Sequence, residues 1–279
     1  MTALQAILLG LVQGITEFLP ISSSGHLSIC QNLFGIDTGE NGNMLFDVLL
    51  HLGTLVSICI VYRRDLVRIV RDCIAFYREA GHPVPGGEKR RYPGARLLLM
   101  IVIATLPLFL ILPIHDQVEK LYNSTLFIGI ALILTGAMLF ASDRMPRGRK
   151  RAKNMSVIDA VLVGICQAIA TVPGLSRSGT TITAGMAAGL DRQFAVKFSF
   201  LISIPAVLGA NLLSLVKAFS EGIEWSYFPL YLLGTLVAMV TGYAAIILLR
   251  YIVRRGKFGY FAYYCAFAGV LTLILTLVL

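Results

Sequence analysis

The chain is poor in charge. Only 14% of its 279 residues are Asp, Glu, Lys or Arg, against about 25% in an ordinary soluble domain. That shortfall excludes a conventional water-soluble globule. Cysteine is sparse and scattered. Cys30, Cys59, Cys73, Cys166 and Cys265 form no CxxC pair, so the thiols read as small buried hydrophobes rather than as metal or redox groups. The sequence contains no Walker loop, HExxH, Cys/His cluster or GxGxxG, which excludes the commonest nucleotide and zinc sites. No Lys or Arg precedes the apolar residues 3–14, so they do not read as a cleavable signal peptide.

What is abundant is apolar. Hydrophobic residues make up 57% of the chain and the mean hydropathy is +0.78. Disorder is thereby excluded, and a polytopic membrane protein remains. One crossing takes about 20 residues, so length alone would permit about ten crossings. Six runs are long enough, at 44–62, 95–114, 126–142, 196–216, 228–249 and 260–279. Two further stretches, 3–35 and 157–190, are hydrophobic but broken by PISSSGH at 20–26 and PGLSRSG at 173–179. Their halves, about 12–16 residues each, are too short to cross comfortably. They read as re-entrant helix hairpins, which are tolerated at membrane depth only inside protein or along a wet cavity.

The net charge of +9 is distributed unevenly. Segment 63–96 holds Arg63, Arg64, Arg68, Arg71, Arg78, Lys89, Arg90, Arg91 and Arg96. Segment 143–155 holds Arg144, Arg147, Arg149, Lys150, Arg151 and Lys153, and segment 250–257 holds Arg250, Arg254, Arg255 and Lys257. Residues 1–43 hold none, while 115–125 and 217–227 hold only Lys120 and Lys217. If both broken stretches are hairpins, the basic segments share one face, which the positive-inside rule makes cytoplasmic. Both termini then lie outside. Residues 64–79 are amphipathic, with Leu66, Ile69, Val70, Cys73 and Ile74 set against Arg68, Arg71, Asp72 and Arg78. They read as a helix on the inner surface.

The two broken stretches match at an offset of 154, pairing Gly10 with Gly164, Gln13 with Gln167, Ser22 with Ser176, Ser24 with Ser178 and Gly25 with Gly179. After a two-residue gap, FDVL at 46–49 pairs with FSFL at 198–201. The expected fold is therefore all-α and integral to the membrane: six transmembrane helices plus two re-entrant helix hairpins in an inverted-topology internal repeat. The first repeat is 1–142, a basic cytoplasmic linker is 143–156, and the second repeat is 157–279. Paired interrupted segments of this kind point to a midplane binding site.

Ionisable groups at membrane depth are functional by default. Glu17 lies one helical turn after Gln13, His26 follows the SSSG turn, and Arg177 sits inside the SRSG turn. Arg177 with Ser176, Ser178, Gly179 and Thr180 offers a cation, hydroxyls and backbone N–H groups at a helix start, which suit phosphate. Ser22, Ser23, Ser24 and Gly25 offer the same donors from the other turn. Glu17 suits a divalent cation or a proton. His26 suits proton transfer or attack on phosphorus. Asp47 and His51 are weaker candidates for the same cavity. Asp159 reads as a cap or pair, Asn211 as an interhelical hydrogen bond, and Thr180, Thr181 and Thr183 as back-bonded hydroxyls. Acid, histidine, serines and arginine together meet the needs of phosphoryl transfer.

QGITEFLPISSSGH at 13–26 and PGLSRSGTT at 173–181 closely resemble the two motifs of the bacitracin-resistance type of undecaprenyl-diphosphate phosphatase. FDVLLHLGT at 46–54 and FSFLISIPAVLGA at 198–210 extend the likeness over essentially the whole chain. The resemblance implies hydrolysis of a C55 polyprenyl diphosphate to the lipid monophosphate and inorganic phosphate. This recycles the carrier for peptidoglycan and other envelope glycans. It implies a multi-pass protein of the bacterial inner membrane, a site facing the periplasm, and a divalent cation such as Mg or Ca. The family's acidic motif falls on Gln13 and Glu17. Many members carry Glu at the first position, so the Gln leaves Glu17 as the principal carboxylate for metal. The nucleophile falls on His26, favoured, or Ser23, with water activated by His26 as a further route. Expected partners are the polyprenyl diphosphate and membrane lipids, with no nucleic acid; a homodimer is left open. An inverted-repeat transporter or lipid-carrier flippase is the rival class, and it would not require a histidine beside a serine cluster.

Overall fold

A computed structural model describes residues 1–33, 43–80, 92–221 and 224–278. Lys89, Arg90 and Arg91 of the first basic segment, and residues 34–35 of the first broken stretch, lie outside the described residues. Twelve α-helices run in order among those described: α1 (Ala3–Phe18), α2 (Ser23–Leu33), α3 (Asn43–Val61), α4 (Arg63–Ala80), α5 (Pro93–Thr105), α6 (His115–Lys120), α7 (Thr125–Asp143), α8 (Val157–Ile169), α9 (Arg177–Ala187), α10 (Arg192–Glu221), α11 (Phe228–Arg254) and α12 (Tyr260–Val278). Six stretches are long and apolar enough to cross a membrane: Met44–Val61, Pro93–Ile114, Thr125–Asp143, Arg192–Ser220, Trp225–Arg254 and Tyr260–Leu277. They coincide with the six runs read from sequence, and the protein is a multi-pass, all-helical membrane protein.

One run departs from a plain helix. The stretch 95–114 is α-helical only to Thr105 and continues as 3-10 turns over Leu106–Leu110 and Leu112–Ile114. Pro107 and Pro113 are the cause, since each lacks the N–H that an α-helix needs and its ring crowds the preceding turn.

The two broken stretches fold as helix–turn–helix pairs, α1–α2 and α8–α9. Their opening helices start alike. Thr2 caps α1 with Gln5 returning the bond, and Ser156 caps α8 with Asp159 doing the same. Such boxes satisfy N–H groups that a helix start leaves unpaired. At 1.5 Å per residue, these 16- and 13-residue helices reach roughly 24 and 20 Å, short of a hydrocarbon core of about 30 Å.

Small residues let these short helices pack tightly. A Cβ on Gly10 would sit 2.5 Å from the Gly234 carbonyl oxygen of α11, and one on Gly14 would sit 2.7 Å from that of Ala238. A Cβ on Gly164 of α8 would sit 2.5 Å from the Ala104 carbonyl oxygen of α5. With apolar lipid on the outside, close backbone approach of this kind is what drives helices together.

Phe18, Leu139, Ile182, Phe198, Phe200 and Ile246 belong to one buried cluster that joins the two halves. Phe18 meets Phe200 edge-on at 5.4 Å between ring centroids. Helix α4 is tied to α10 by the Asp65–Lys197 ion pair, while Val67, Val70, Ile74, Phe76 and Tyr77 remain exposed. The basic segment before α8 is fastened down. Lys150 forms an isolated bridge with Leu190, and its Nζ donates to Asp159 at 2.8 Å. Asn211 reaches the Val48 carbonyl oxygen at 3.5 Å, an interhelical contact.

Candidate active site

The turns of the two helix pairs meet in the interior. Leu19-Pro20-Ile21-Ser22 ends α1 and leads into α2; residues 170–176 do the same between α8 and α9. Ser178 Oγ donates to the Leu19 carbonyl oxygen at 3.4 Å, and the thiol of Cys265 on α12 donates to that of Pro20 at 3.4 Å. The second turn is held by α7: Thr135 donates to the Gly174 carbonyl oxygen at 3.3 Å and accepts from the Ser176 N–H at 3.2 Å.

Glu17 is the centre of the meeting. It is buried at 7% exposure, and its carboxylate is surrounded by donors. Arg177, at the first position of α9, forms an ion pair and hydrogen bond with Oε1. Ser23 Oγ donates to Oε2 at 2.7 Å, and Gln13 Nε2 donates to the same oxygen at 3.1 Å. His51 Nε2 lies 4.0 Å from Oε2. A carboxylate removed from water needs such company, because an unpaired buried charge is strongly unfavourable.

Among the sequence candidates, then, Gln13, Glu17, Ser23 and Arg177 come together, and His51 joins them. Asp47 stands behind His51. Its backbone carbonyl is 2.8 Å from His51 Nδ1, and its carboxylate accepts from Gln31 Nε2 at 2.8 Å. His26 is not drawn into this cluster. Its Nδ1 lies 2.8 Å from the Ser22 carbonyl oxygen, and its Nε2 lies 2.6 Å from Tyr264 Oη on α12. It borders a largely apolar cavity of about 590 Å³, shared with Val12, Ile15, Leu19, Ile21 and Tyr264.

The expected phosphate donors divide. Ser176 caps α9 by accepting from the Gly179 N–H at 3.1 Å, so that N–H is engaged. Ser176 and Ser178 hydroxyls lie 3.2 Å apart, and Ser22 and Ser24 hydroxyls 3.4 Å apart. Gly25 lies against Ile128. Thr181 back-bonds to the Arg177 carbonyl oxygen at 2.8 Å. Thr180 and Thr183 do not, and their buried hydroxyls find no partner among the described residues. Asp159 caps α8 and pairs with Lys150.

No cluster of three or more His, Cys, Asp or Glu side chains suited to a metal occurs among the described residues. The donors at Glu17 nevertheless suit a hard cation. Gln13 Oε1 is buried without a partner among the described residues, beside a carboxylate and a serine hydroxyl. Mg or Ca takes oxygen donors and fills the rest of its shell with water and substrate phosphate.

The comparison with known proteins rests on nearly the whole chain. Residues 6–271 match the family described as bacitracin resistance protein BacA. The chain belongs to the BacA family. Among its curated relatives, the undecaprenyl-diphosphatase of Methanosphaera stadtmanae is 40% identical over 279 residues, covering 99% of each chain. That of Carboxydothermus hydrogenoformans is 40% identical over 282 residues, covering 99% of this chain and 98% of its own. That of Alkaliphilus metalliredigens is 38% identical over 280 residues, covering 99% and 100%.

Two contacts of these candidate residues were not legible beforehand. Gln31 lies past the serine motif with nothing to single it out. Tyr264 sits in YFAYYC at 260–265, an aromatic run that reads only as membrane-spanning.

Proposed function

We propose that this chain hydrolyses undecaprenyl diphosphate to undecaprenyl phosphate and inorganic phosphate, and thereby supports envelope glycan synthesis and bacitracin resistance. The observation that carries this is the buried Glu17, gripped by Arg177 from the opposite turn while accepting a hydrogen bond from Ser23. Family membership and the relatives' shared name point the same way. A transporter would need no serine hydroxyl aimed at a carboxylate.

In this reading the two helix–turn–helix pairs are re-entrant hairpins of an inverted repeat, with their turns near the midplane. The basic segments face the cytoplasm of the inner membrane, and the site opens outward. The short lengths of α1 and α8 and the contact between their turns support it. The Arg177–Glu17 pair is the resting state. An arriving diphosphate competes for the guanidinium, which binds phosphate bidentately. Glu17 Oε2, which already accepts the Ser23 hydrogen bond, is placed to take its proton. Ser23 Oγ attacks the terminal phosphorus, its proton passes to Glu17, and the bond to the bridging oxygen breaks to release the lipid monophosphate. Water then cleaves the phosphoserine, returning the proton to Ser23 Oγ. The position of Ser23 favours it over His26 as nucleophile; His26 is left to proton transfer at the edge of the site.

A divalent cation, held by Glu17 and Gln13 Oε1, would neutralise charge developing on the phosphate oxygens. Ser22, Ser24 and Ser178 supply further hydroxyl donors. Purified protein in detergent should release phosphate from the C55 diphosphate with no membrane gradient. Arg177→Ala should lower that rate by about 10³. Wild-type rates in Arg177→Ala would sink the site assignment, and lipid transport without phosphate release would sink the activity.

A further inference from the structure

We propose that Tyr264 is a positioning residue for His26, which brings the last helix, α12, into the reaction. The proposal rests on the reading of His26 as a proton-transfer group in phosphate release.

His26 Nδ1 lies 2.8 Å from the Ser22 carbonyl oxygen. A carbonyl oxygen only accepts hydrogen bonds, so Nδ1 carries a proton, and in the neutral ring Nε2 presents its lone pair. Tyr264 Oη is 2.6 Å from Nε2 and donates its proton there. The two rings lie 18° from parallel, with centroids 5.6 Å apart, as a bond in the plane of the imidazole requires. The imidazole is thus held at both nitrogens. One restraint comes from the start of its own helix; the other comes from a residue 238 positions along the chain.

Packing alone does not account for this. A side chain that served only to fill space would have no use for the hydroxyl of Tyr264. Its hydroxyl makes one short, directed bond at the edge of the apolar cavity that His26 borders. The chemical consequence is definite. Nε2 is the working nitrogen, and the phenol follows its state. Tyr264 donates while Nε2 is bare and accepts once Nε2 carries a proton, because a phenol does both. Phenylalanine keeps the ring and loses that ability.

The test is Tyr264→Phe in the full-length protein, purified in detergent. The kcat for phosphate release from a C55 diphosphate should fall about tenfold, part of the 10²–10⁴ that a positioned acid–base group supplies, with KM within about twofold. In ¹⁵N spectra of histidine-labelled wild type, His26 should show protonated Nδ1 and a hydrogen-bonded, bare Nε2. Tyr264→Phe should lose the Nε2 hydrogen-bond shift. An unchanged kcat overturns the proposal, whatever the spectra show. So does a wild-type spectrum with the proton on Nε2, a result that stands even if the variant does not fold. Absence of phosphate release by the wild type would overturn the proposed function instead, while the ¹⁵N shifts would still report on Tyr264.

Discussion

The two turns at the centre of the molecule align without a gap and yet bend differently. Pro20 in the first corresponds to Gly174 in the second, and Ser22 to Ser176. Gly174 takes the left-handed conformation at φ +86° and leaves Ser176 at an ordinary −74°. Proline cannot follow, because its ring holds φ near −65°. The left-handed residue in the first turn therefore moves to Ser22, at φ +69°. A serine there is strained where a glycine would not be. The chemistry is divided just as unevenly. The first turn brings the carboxylate and Ser23; the second brings the cation. Neither turn alone holds a neutral site, and each supplies what the other lacks.

A double-mutant cycle tests that complementarity most severely. Glu17→Ala and Arg177→Ala should each lower phosphate release by about 10³. The double variant should be little worse than either, since residues that act as a unit are far from additive. Independent, multiplying losses would break the comparison.

The backbone difference predicts opposite signs at matched turns. Gly174→Ala should lower stability by about 1–3 kcal/mol, because its Cβ would lie 2.7 Å from that of Ala131 and 2.8 Å from the Ile128 carbonyl oxygen. Ser22→Gly should be neutral or stabilising by up to about 1 kcal/mol. Thermal unfolding in detergent would read both, and a Ser22→Gly as damaging as Gly174→Ala would show that strain is not what separates the turns. The smallest effect is expected at the clamp on the second turn. Thr135→Val should cost about 1 kcal/mol and reduce activity a few-fold, as Arg177 loses definition; full activity would show that the first turn alone sets the pair.

The sequence made some of this plain. The six membrane-crossing stretches follow from apolar run length, and the two interrupted stretches from Gly, Pro and Ser inside hydrophobic segments. Gln13 and Glu17 share a helix face by their spacing of four. Arg177 stood out because an arginine inside an apolar stretch needs an anion, and the structure gives it Glu17. Other features depend on geometry that no spacing encodes. The α-to-3-10 change after Thr105 was missed because hydropathy does not register lost N–H donors. His26 is next to the serines in sequence, but the left-handed Ser22 starts α2 at an angle that sends the imidazole to α12. His51 had only modest claims and reaches Glu17 because α3 packs beside α1.

One consequence of the glycine contacts concerns altitude. In the re-entrant reading proposed above, α1 stops partway through the bilayer with no far end to anchor it, so something else must set how deep it goes. On α1, Ala6, Gly10, Gly14 and Phe18 recur every fourth residue, and on α11 so do Gly234, Ala238 and Gly242. Gly10 fits Gly234 and Gly14 fits Ala238, while the ring of Phe18 reaches the face of Gly242. Sliding α1 by a single turn of about 5.4 Å would bring Phe18 into a slot cut for a glycine. The strip works as a ruler with a stop at one end, and it delivers Glu17 to one level, where Arg177 meets it.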